Sequence, residues 1–155
     1  MQKFIIEKPS INFFKDEYED FSNFTPVVIY YEHYNYPSVE HAYVAAKTTD
    51  FMFRKKILEI PADKAGRAKR LGKRVKLRPN WDLMKYALMK RFLMQKFSYE
   101  KFKKLLLSTG DCFIEEGNYW HDNFWGNCYC KKCENIKGEN KLGILLMEIR
   151  TIMGG

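Results

Sequence analysis

The hydrophobic pattern changes character along the chain. Near the start the apolar runs are short and suit strands; from Ser38 onward the spacing is helical. Lys3 to Glu7 and Ile11 to Phe14 read as short strands, broken by Pro9 and Ser10, and Val27 to Tyr31 is a β-branched and aromatic strand. Tyr34-Asn35-Tyr36-Pro37 reads as the exit of a hairpin. Ser38 is a good N-cap for a short helix that reaches Lys47 and ends near Thr48-Thr49-Asp50. A second helix covers Phe51 to Ile60 and is stopped by Pro61; a third, basic one runs from Ala62 to Leu71, with Gly72 at its end. Asn80 is placed to cap a long, broadly apolar and central helix from Trp81 to Phe97. Tyr99 to Leu107 forms another helix, Cys112 to Glu115 a strand, and Tyr119 to Glu139 an irregular segment rich in Gly, Asn, Trp and Cys. The last helix is the clearest, with Leu142, Leu145, Leu146, Ile149 and Ile152 on one stripe. No repeat, low-complexity tract or linker interrupts the series. The expectation is an α+β fold, predominantly helical, with a small N-terminal β region and one domain over residues 1–155.

Composition adds three points. Apolar residues make up 46% of the 155 positions and aromatics 16%, enough for a real core. No apolar run has membrane-spanning length and the start lacks a signal pattern, so a soluble cytoplasmic protein with no membrane association is expected. The net charge of +8 comes from one place: Lys64 to Arg78 holds eight basic residues and no acidic one, while elsewhere 19 basic residues balance 19 acidic ones. Such a stretch attracts phosphate on a nucleotide or on nucleic acid, or it is simply a solvated face.

Several residues carry possible chemistry. On the helix after Ser38, Glu40 lies in the first turn, where the helix dipole favours a carboxylate, and Lys47 follows two turns later on the same face. They are either a salt-bridged surface or the two ends of a site. Trp81 is either a core anchor or a platform for a ligand. His121-Asp122 and the following Trp125 lie in the irregular segment, where Asp122 either closes an Asx turn or has a functional role. Cys128, Cys130 and Cys133, with Cys112 or His121 as a fourth ligand, could bind Zn²⁺. Without two separated C-x-x-C units, reduced and unliganded thiols are expected, with no metal and no cofactor in the chemistry. The P-loop, G-x-G-x-x-G, H-E-x-x-H and G-x-S-x-G motifs are all missing, which argues against the chemistries they support.

Ordered segments then supply a resemblance. They are F-S-N-F-T-P (Phe21 to Pro26), Y-P-S-V-E-H-A-Y-V-A-A-K (Tyr36 to Lys47), A-K-R-L-G-K-R-V (Ala68 to Val75) and R-P-N-W-D (Arg78 to Asp82). Lys85 to Phe92, L-L-S-T-G (Leu106 to Gly110), D-N-F-W-G (Asp122 to Gly126) and G-E-N-K-L-G-I-L-L-M-E-I-R (Gly138 to Arg150) follow. Together they resemble the YbiA/NADAR family of N-glycosidases over nearly the whole chain. The resemblance implies cleavage of the N-glycosidic bond of phosphorylated ribosides, one branch acting on riboflavin-pathway intermediates and another removing ADP-ribose from modified guanine. It implies catalytic roles for Glu40, Lys47 and Asp122, and substrate contacts from Asn23, Trp81, Lys73, Arg74, Trp125 and Asn140. Asn127 to Lys137, with the cysteines, replaces the short Gly-rich loop of many members. The charge favours an ADP-ribosylated nucleobase, free or carried in nucleic acid, over a phosphorylated riboflavin-pathway intermediate. No obligate protein partner is expected. The rival of another class is a non-catalytic module for ADP-ribose or nucleic acid, which would need aromatic and basic groups but no paired acids.

Overall fold

A computed structural model of the chain describes residues 9–154; the strand expected over Lys3 to Glu7 lies outside them. The fold is α+β and mostly helical. Its elements are β1 (Ser10–Ile11), β2 (Pro26–Tyr31), β3 (Tyr34–Ser38), α1 (Val39–Ala46), α2 (Phe51–Leu58), α3 (Ala65–Gly72), α4 (Trp81–Lys96), α5 (Glu100–Ser108), β4 (Phe113–Ile114), β5 (Gly117–Asn118), β6 (Asn127–Cys128) and α6 (Lys141–Gly154). The chain divides into two compact units, a continuous one from Glu19 to Phe102 and one built from residues up to Tyr18 together with Lys103 onward.

In the continuous unit, β2 and β3 form an antiparallel hairpin with Ile29 opposite Tyr36 and Tyr31 opposite Tyr34. Tyr34 to Pro37 is thus part of a full strand, not merely the exit of a hairpin. The two turn residues, Glu32 and His33, both have positive φ (39° and 77°), as a tight hairpin turn with the right strand twist requires. Pro37 falls where the ladder shifts register before Pro26 meets Ser38, a place that tolerates a missing N–H. The expected third helix is divided: Ala62–Lys64 is a 3₁₀ turn, and Lys64 (φ −118°, ψ 31°) separates it from α3. Asn80 precedes α4, but in a left-handed conformation (φ 61°) without a side-chain cap, a backbone state that Asn tolerates better than most residues. The core gathers Ile29, Tyr31, Tyr36, all of α1, Ile57, Ala68 and the Met89, Phe92, Leu93 face of α4.

In the second unit, the short parallel pair β1–β4 joins Ser10 to Phe113 and Ile11 to Ile114, so the expected strands Ile11 to Phe14 and Cys112 to Glu115 shrink to two residues each. A second parallel pair sets Gly117 opposite Asn127 and Asn118 opposite Cys128 inside the segment read as irregular. Strand pairing is therefore not confined to the N-terminal region. α6 buries Leu142, Leu145, Leu146 and Ile149, but Ile152 at the end of the stripe is 49% exposed. The backbone N–H groups of Asn140, Lys141 and Leu142 donate to the carbonyls of Gly126, Phe124 and Trp125, so the loop satisfies the start of α6.

One buried charge stands out in α4. Lys96 is fully buried; its Nζ donates to the Ser22 carbonyl at 2.8 Å and lies 5.3 Å from the ring centres of Phe97 and Phe102. Burial lowers its pKa from 10.5 to about 7, against the pull of Asp20. Between those values the unfolded chain binds the proton that the folded chain releases, so stability rises with pH. Folding free energy from urea titrations should therefore grow between pH 7 and pH 10, by about 3–5 kcal/mol in total from this group. In Lys96→Met the rise should be much smaller; an unchanged slope would show that Lys96 is not the source.

Candidate active site

Every residue of α1 is buried, so its ends must be satisfied from within. At the N-terminus, Ser38 Oγ accepts the His41 N–H at 3.1 Å and pairs with His41 Nδ1 at 2.6 Å, as the sequence implied for the cap. His41 Nε2 faces the Ile60 carbonyl at 3.1 Å. A carbonyl only accepts, so Nε2 carries the hydrogen and Nδ1 receives the Ser38 hydroxyl proton. Burial holds the imidazole pKa below its usual value, keeping His41 neutral and structural. At the other end, Arg54 Nε donates to the carbonyls of Ala45 (3.1 Å) and Thr48 (2.9 Å), while its Nη1 pairs with Glu32 at 2.6 Å. The Arg78 N–H donates to the Lys47 carbonyl at 2.8 Å.

Glu40 and Lys47 lie between these anchors. Glu40 is only 9% exposed, which removes the reading of a solvated surface charge. Its backbone N–H donates to the Asn23 carbonyl at 3.0 Å. The Asn23 side chain contacts Met89 Sδ through Nδ2 at 3.7 Å, and its buried Oδ1 has no hydrogen-bond partner among the described residues. Lys47 is half-buried just past the end of α1. Burial lowers its pKa below the ordinary lysine value; Glu40 pulls it back up, and Lys69, Lys73 and Lys85 lower it again. Its Nζ sits 5.4 Å from the Tyr43 ring centre, and Tyr43 packs on Trp81 at 5.2 Å with the rings inclined by 53°. Glu40, Tyr43, Lys47 and Trp81 thus form one connected set. Trp81 is 5% exposed, so it walls this set rather than offering an open stacking face.

Helix α3 closes on the amine through Gly72. A Cβ at that position would come within 2.9 and 3.0 Å of the Val44 methyls and 3.4 Å of Lys47 Nζ, so only glycine allows this approach unperturbed. Of the basic stretch, Lys73 and Arg74 are exposed, whereas Lys69 is half-buried with Nζ 5.7 Å from the Phe24 ring. Tyr43, Lys69, Gly72 and Lys85 were not singled out from sequence. Spacing held a signal for two of them: Lys69 lies four residues before Lys73, and Lys85 one turn after Trp81 on the same helix face.

The second unit holds the other expected residues. Asp122 Oδ1 accepts the N–H groups of Phe124 (3.1 Å) and Trp125 (2.9 Å), so the Asx turn does form. Trp125 packs edge-on against Phe124 at 4.8 Å. Asn140 is buried and its amide bridges backbone: Oδ1 accepts from Glu116 N at 3.0 Å and Nδ2 donates to the Ile114 carbonyl at 2.9 Å. These bonds make Asn140 a brace at the start of α6 rather than a group open to substrate. In the same unit, donor atoms of His121, Cys128, Cys130 and Cys133 lie within 4.8 Å of one another.

The electrostatics of Lys47 are testable by replacing one neighbour at a time. Glu40→Gln deletes the charge that raises the amine's pKa, so the pKa should fall further; Lys73→Ala should raise it, by less because Lys73 is solvent-screened. NMR titration of the Lys47 side chain reads both shifts, and an unmoved Lys47 in Glu40→Gln would show that the two charges do not interact.

Comparison with known proteins identifies the family. The NADAR domain matches residues 12–153, a span that runs through both units. N-glycosidase YbiA of Shigella boydii is 32% identical over 149 residues, covering 94% of this chain and 89% of the relative. N-glycosidase Npun_R5314 of Nostoc punctiforme is 35% identical over 150 residues, covering 91% and 90%. The NMR structure of Escherichia coli YbiA superposes with a TM-score of 0.80 at 32% identity, covering 97% of this chain and 88% of that one. By family match, by relatives of nearly equal length and by fold, the chain belongs to the NADAR family and is an N-glycosidase.

Proposed function

We propose that this enzyme cleaves the C1–N bond of a phosphorylated riboside, and that its preferred substrate is ADP-ribosylated guanine, free or in nucleic acid. The observation that carries this reading is the buried Glu40 beside an amine of lowered pKa, with Lys69, Lys73 and Lys85 acting on the same amine. Breaking a C1–N bond builds positive charge on the ribose, which a buried carboxylate stabilises. The cations around it suit a substrate with more than one phosphate charge. One functional domain is proposed, because a single family match spans residues 12–153, and a cytoplasmic location goes with it. No described helix is long and apolar enough to cross a membrane.

The proposed chemistry runs through Lys47. Its neutral Nζ attacks C1, the bond from C1 to the base nitrogen breaks, and the base leaves with a proton. Glu40 takes the proton that Nζ loses and passes it to the departing base nitrogen, which returns Glu40 to the carboxylate. The C1–ring oxygen bond then breaks as the remaining Nζ proton passes to that oxygen, giving an imine between Nζ and C1; water, deprotonated by Glu40, adds to C1, and its two protons return to Nζ as the C1–N bond breaks and frees the lysine. The seven-residue spacing separates the two backbones by roughly 10 Å along the helix axis, a gap that two long side chains span around one ribose. Asp122 keeps the role that the family resemblance implies, a second carboxyl. Lys73 and Arg74 hold phosphate.

The first test is a product profile. ADP-ribosylated guanosine and a phosphorylated riboflavin-pathway intermediate are each incubated with enzyme and separated by chromatography. Release of ADP-ribose from the first is expected; faster cleavage of the second would move the substrate to the other branch. Glu40→Gln and Lys47→Ala should each remove most turnover in a folded protein, with little further loss in the double variant. Borohydride should trap a sugar adduct on Lys47 in wild type. Near-normal turnover in Lys47→Ala would end the covalent route.

Lys73→Ala and Arg74→Ala address phosphate binding. Contacts made equally in ground and transition states should raise KM with kcat nearly unchanged. A large fall in kcat at saturating substrate would place these side chains at the reacting carbon instead.

A further inference from the structure

Three cysteines and a histidine remain outside the reaction just described. His121, Cys128, Cys130 and Cys133 come from one stretch, spaced H-x₆-C-x-C-x₂-C. All three cysteines are free thiols, so no disulfide accounts for their gathering. His121 Nδ1 lies 3.3 Å from Cys130 Sγ and 3.4 Å from Cys133 Sγ, and the four donor atoms all fall within 4.8 Å of one another. A tetrahedral zinc ion with ordinary bond lengths sets its ligand atoms about 3.5–3.8 Å apart. The cluster is therefore already close to the dimensions of such a site.

The backbone is built to hold those donors in place. Asn118 is fully buried and clasps the residues on both sides of His121: its Oδ1 accepts from the N–H groups of Trp120 and Asp122, each at 3.2 Å, and its Nδ2 donates to the Asp122 carbonyl at 2.8 Å. His121 is held between them at φ 69°, a left-handed conformation that is uncommon outside glycine. Pairing of β5 with β6 sets Cys128 opposite Asn118, and Asn123 Oδ1 fixes the Cys128 N–H at 2.9 Å. Cys130 and Cys133 flank a 3₁₀ turn closed by a Cys133 N–H to Cys130 carbonyl bond of 3.0 Å. The His121 N–H points at Cys128 Sγ at 3.3 Å, the kind of outer hydrogen bond that steadies a metal-bound thiolate.

We infer that His121 Nδ1 and the sulfurs of Cys128, Cys130 and Cys133 form a structural Zn²⁺ site that ties the loop between β5 and α6. Thiolates and imidazole suit this borderline-soft ion, and a set of four protein ligands leaves no open position for substrate, which marks a structural site. Three thiolates on one Zn²⁺ leave a net negative charge, and Lys131 and Lys132 stand within the turn to offset it. The sequence alone favoured unliganded thiols because no second C-x-x-C pair is present; the Asn118 clasp, which brings His121 to the cysteines, is what changes that. Asp122 and Trp125 lie in the loop that the ion would brace.

The full-length protein, purified under reducing conditions without chelator, tests this by elemental analysis. About one zinc per chain is expected after dialysis, falling below about a tenth in Cys133→Ser and in His121→Ala. Because those variants could misfold, wild type supplies a second readout. Replacement with Co²⁺ should give the strong visible bands of a tetrahedral thiolate site, and the three loop thiols should react with a disulfide reagent only after the metal is stripped. Glu40→Gln should keep its zinc, so the metal site stands or falls separately from the proposed reaction. Wild type that holds no metal in micromolar zinc, gives no tetrahedral cobalt spectrum, or binds iron in preference would overturn the proposal.

Discussion

The complete burial of α1 is the constraint on which the larger unit depends. An eight-residue helix cannot satisfy its own ends, and here all eight of its residues are buried. Ser38 and His41 close one end through the Ile60 carbonyl; Arg54 and Arg78 close the other. Each anchor comes from a different part of the chain, so the hairpin, α2 and the segment before α4 are all referred to this one helix. Arg54 illustrates how economical the scheme is. One guanidinium satisfies two carbonyls at the end of α1, pairs with Glu32 in the hairpin turn and covers the Tyr31 ring at 5.1 Å.

Within that frame a half-buried and a fully buried lysine have different surroundings. Lys96 is enclosed by a carbonyl and two aromatic faces that receive an ammonium, and no basic side chain is among its perturbing groups. Lys47 has a carboxylate on its own helix and three amines around it. Burial disfavours the charged form of both, but at Lys47 neighbouring cations also oppose protonation while Glu40 favours it. The first arrangement holds structure; the second is the usual environment of a reactive amine.

What could be read from sequence follows the range of the interactions. The Ser38 cap, the helix to Lys47, the strand at Val27 to Tyr31 and the stripe from Leu142 to Ile149 are set by neighbours within a few residues, and all appear in the structure. The left-handed Asn80 was missed because its identity alone fits a capping role equally well. Lys96 gave no warning, since a lysine near a helix C-terminus is ordinarily a solvated partner of the dipole. The divided helix at Lys64 lies in that residue's non-helical backbone (φ −118°, ψ 31°), which helical propensity does not encode. In the site, the pairing of Glu40 with Lys47 was visible as helix spacing, but the contributions of Lys69 and Lys85 come from other helices. The gathering of His121 with the cysteines required a side chain, Asn118, whose reach no spacing rule encodes.

The division of the chain bears on its synthesis. One unit is a single uninterrupted stretch, Glu19 to Phe102, whereas the other unites residues up to Tyr18 with those from Lys103 onward. During translation the uninterrupted unit can therefore bury α1 while the ribosome is still working. Strand β1 has meanwhile been made, but β4, its parallel partner, lies far downstream, and an unpaired strand edge is a place where nascent chains join one another. With only two residues in β1, that waiting edge is too short to seed much association. The brevity of the strand, a weakness in the finished fold, leaves little strand edge to wait unpaired.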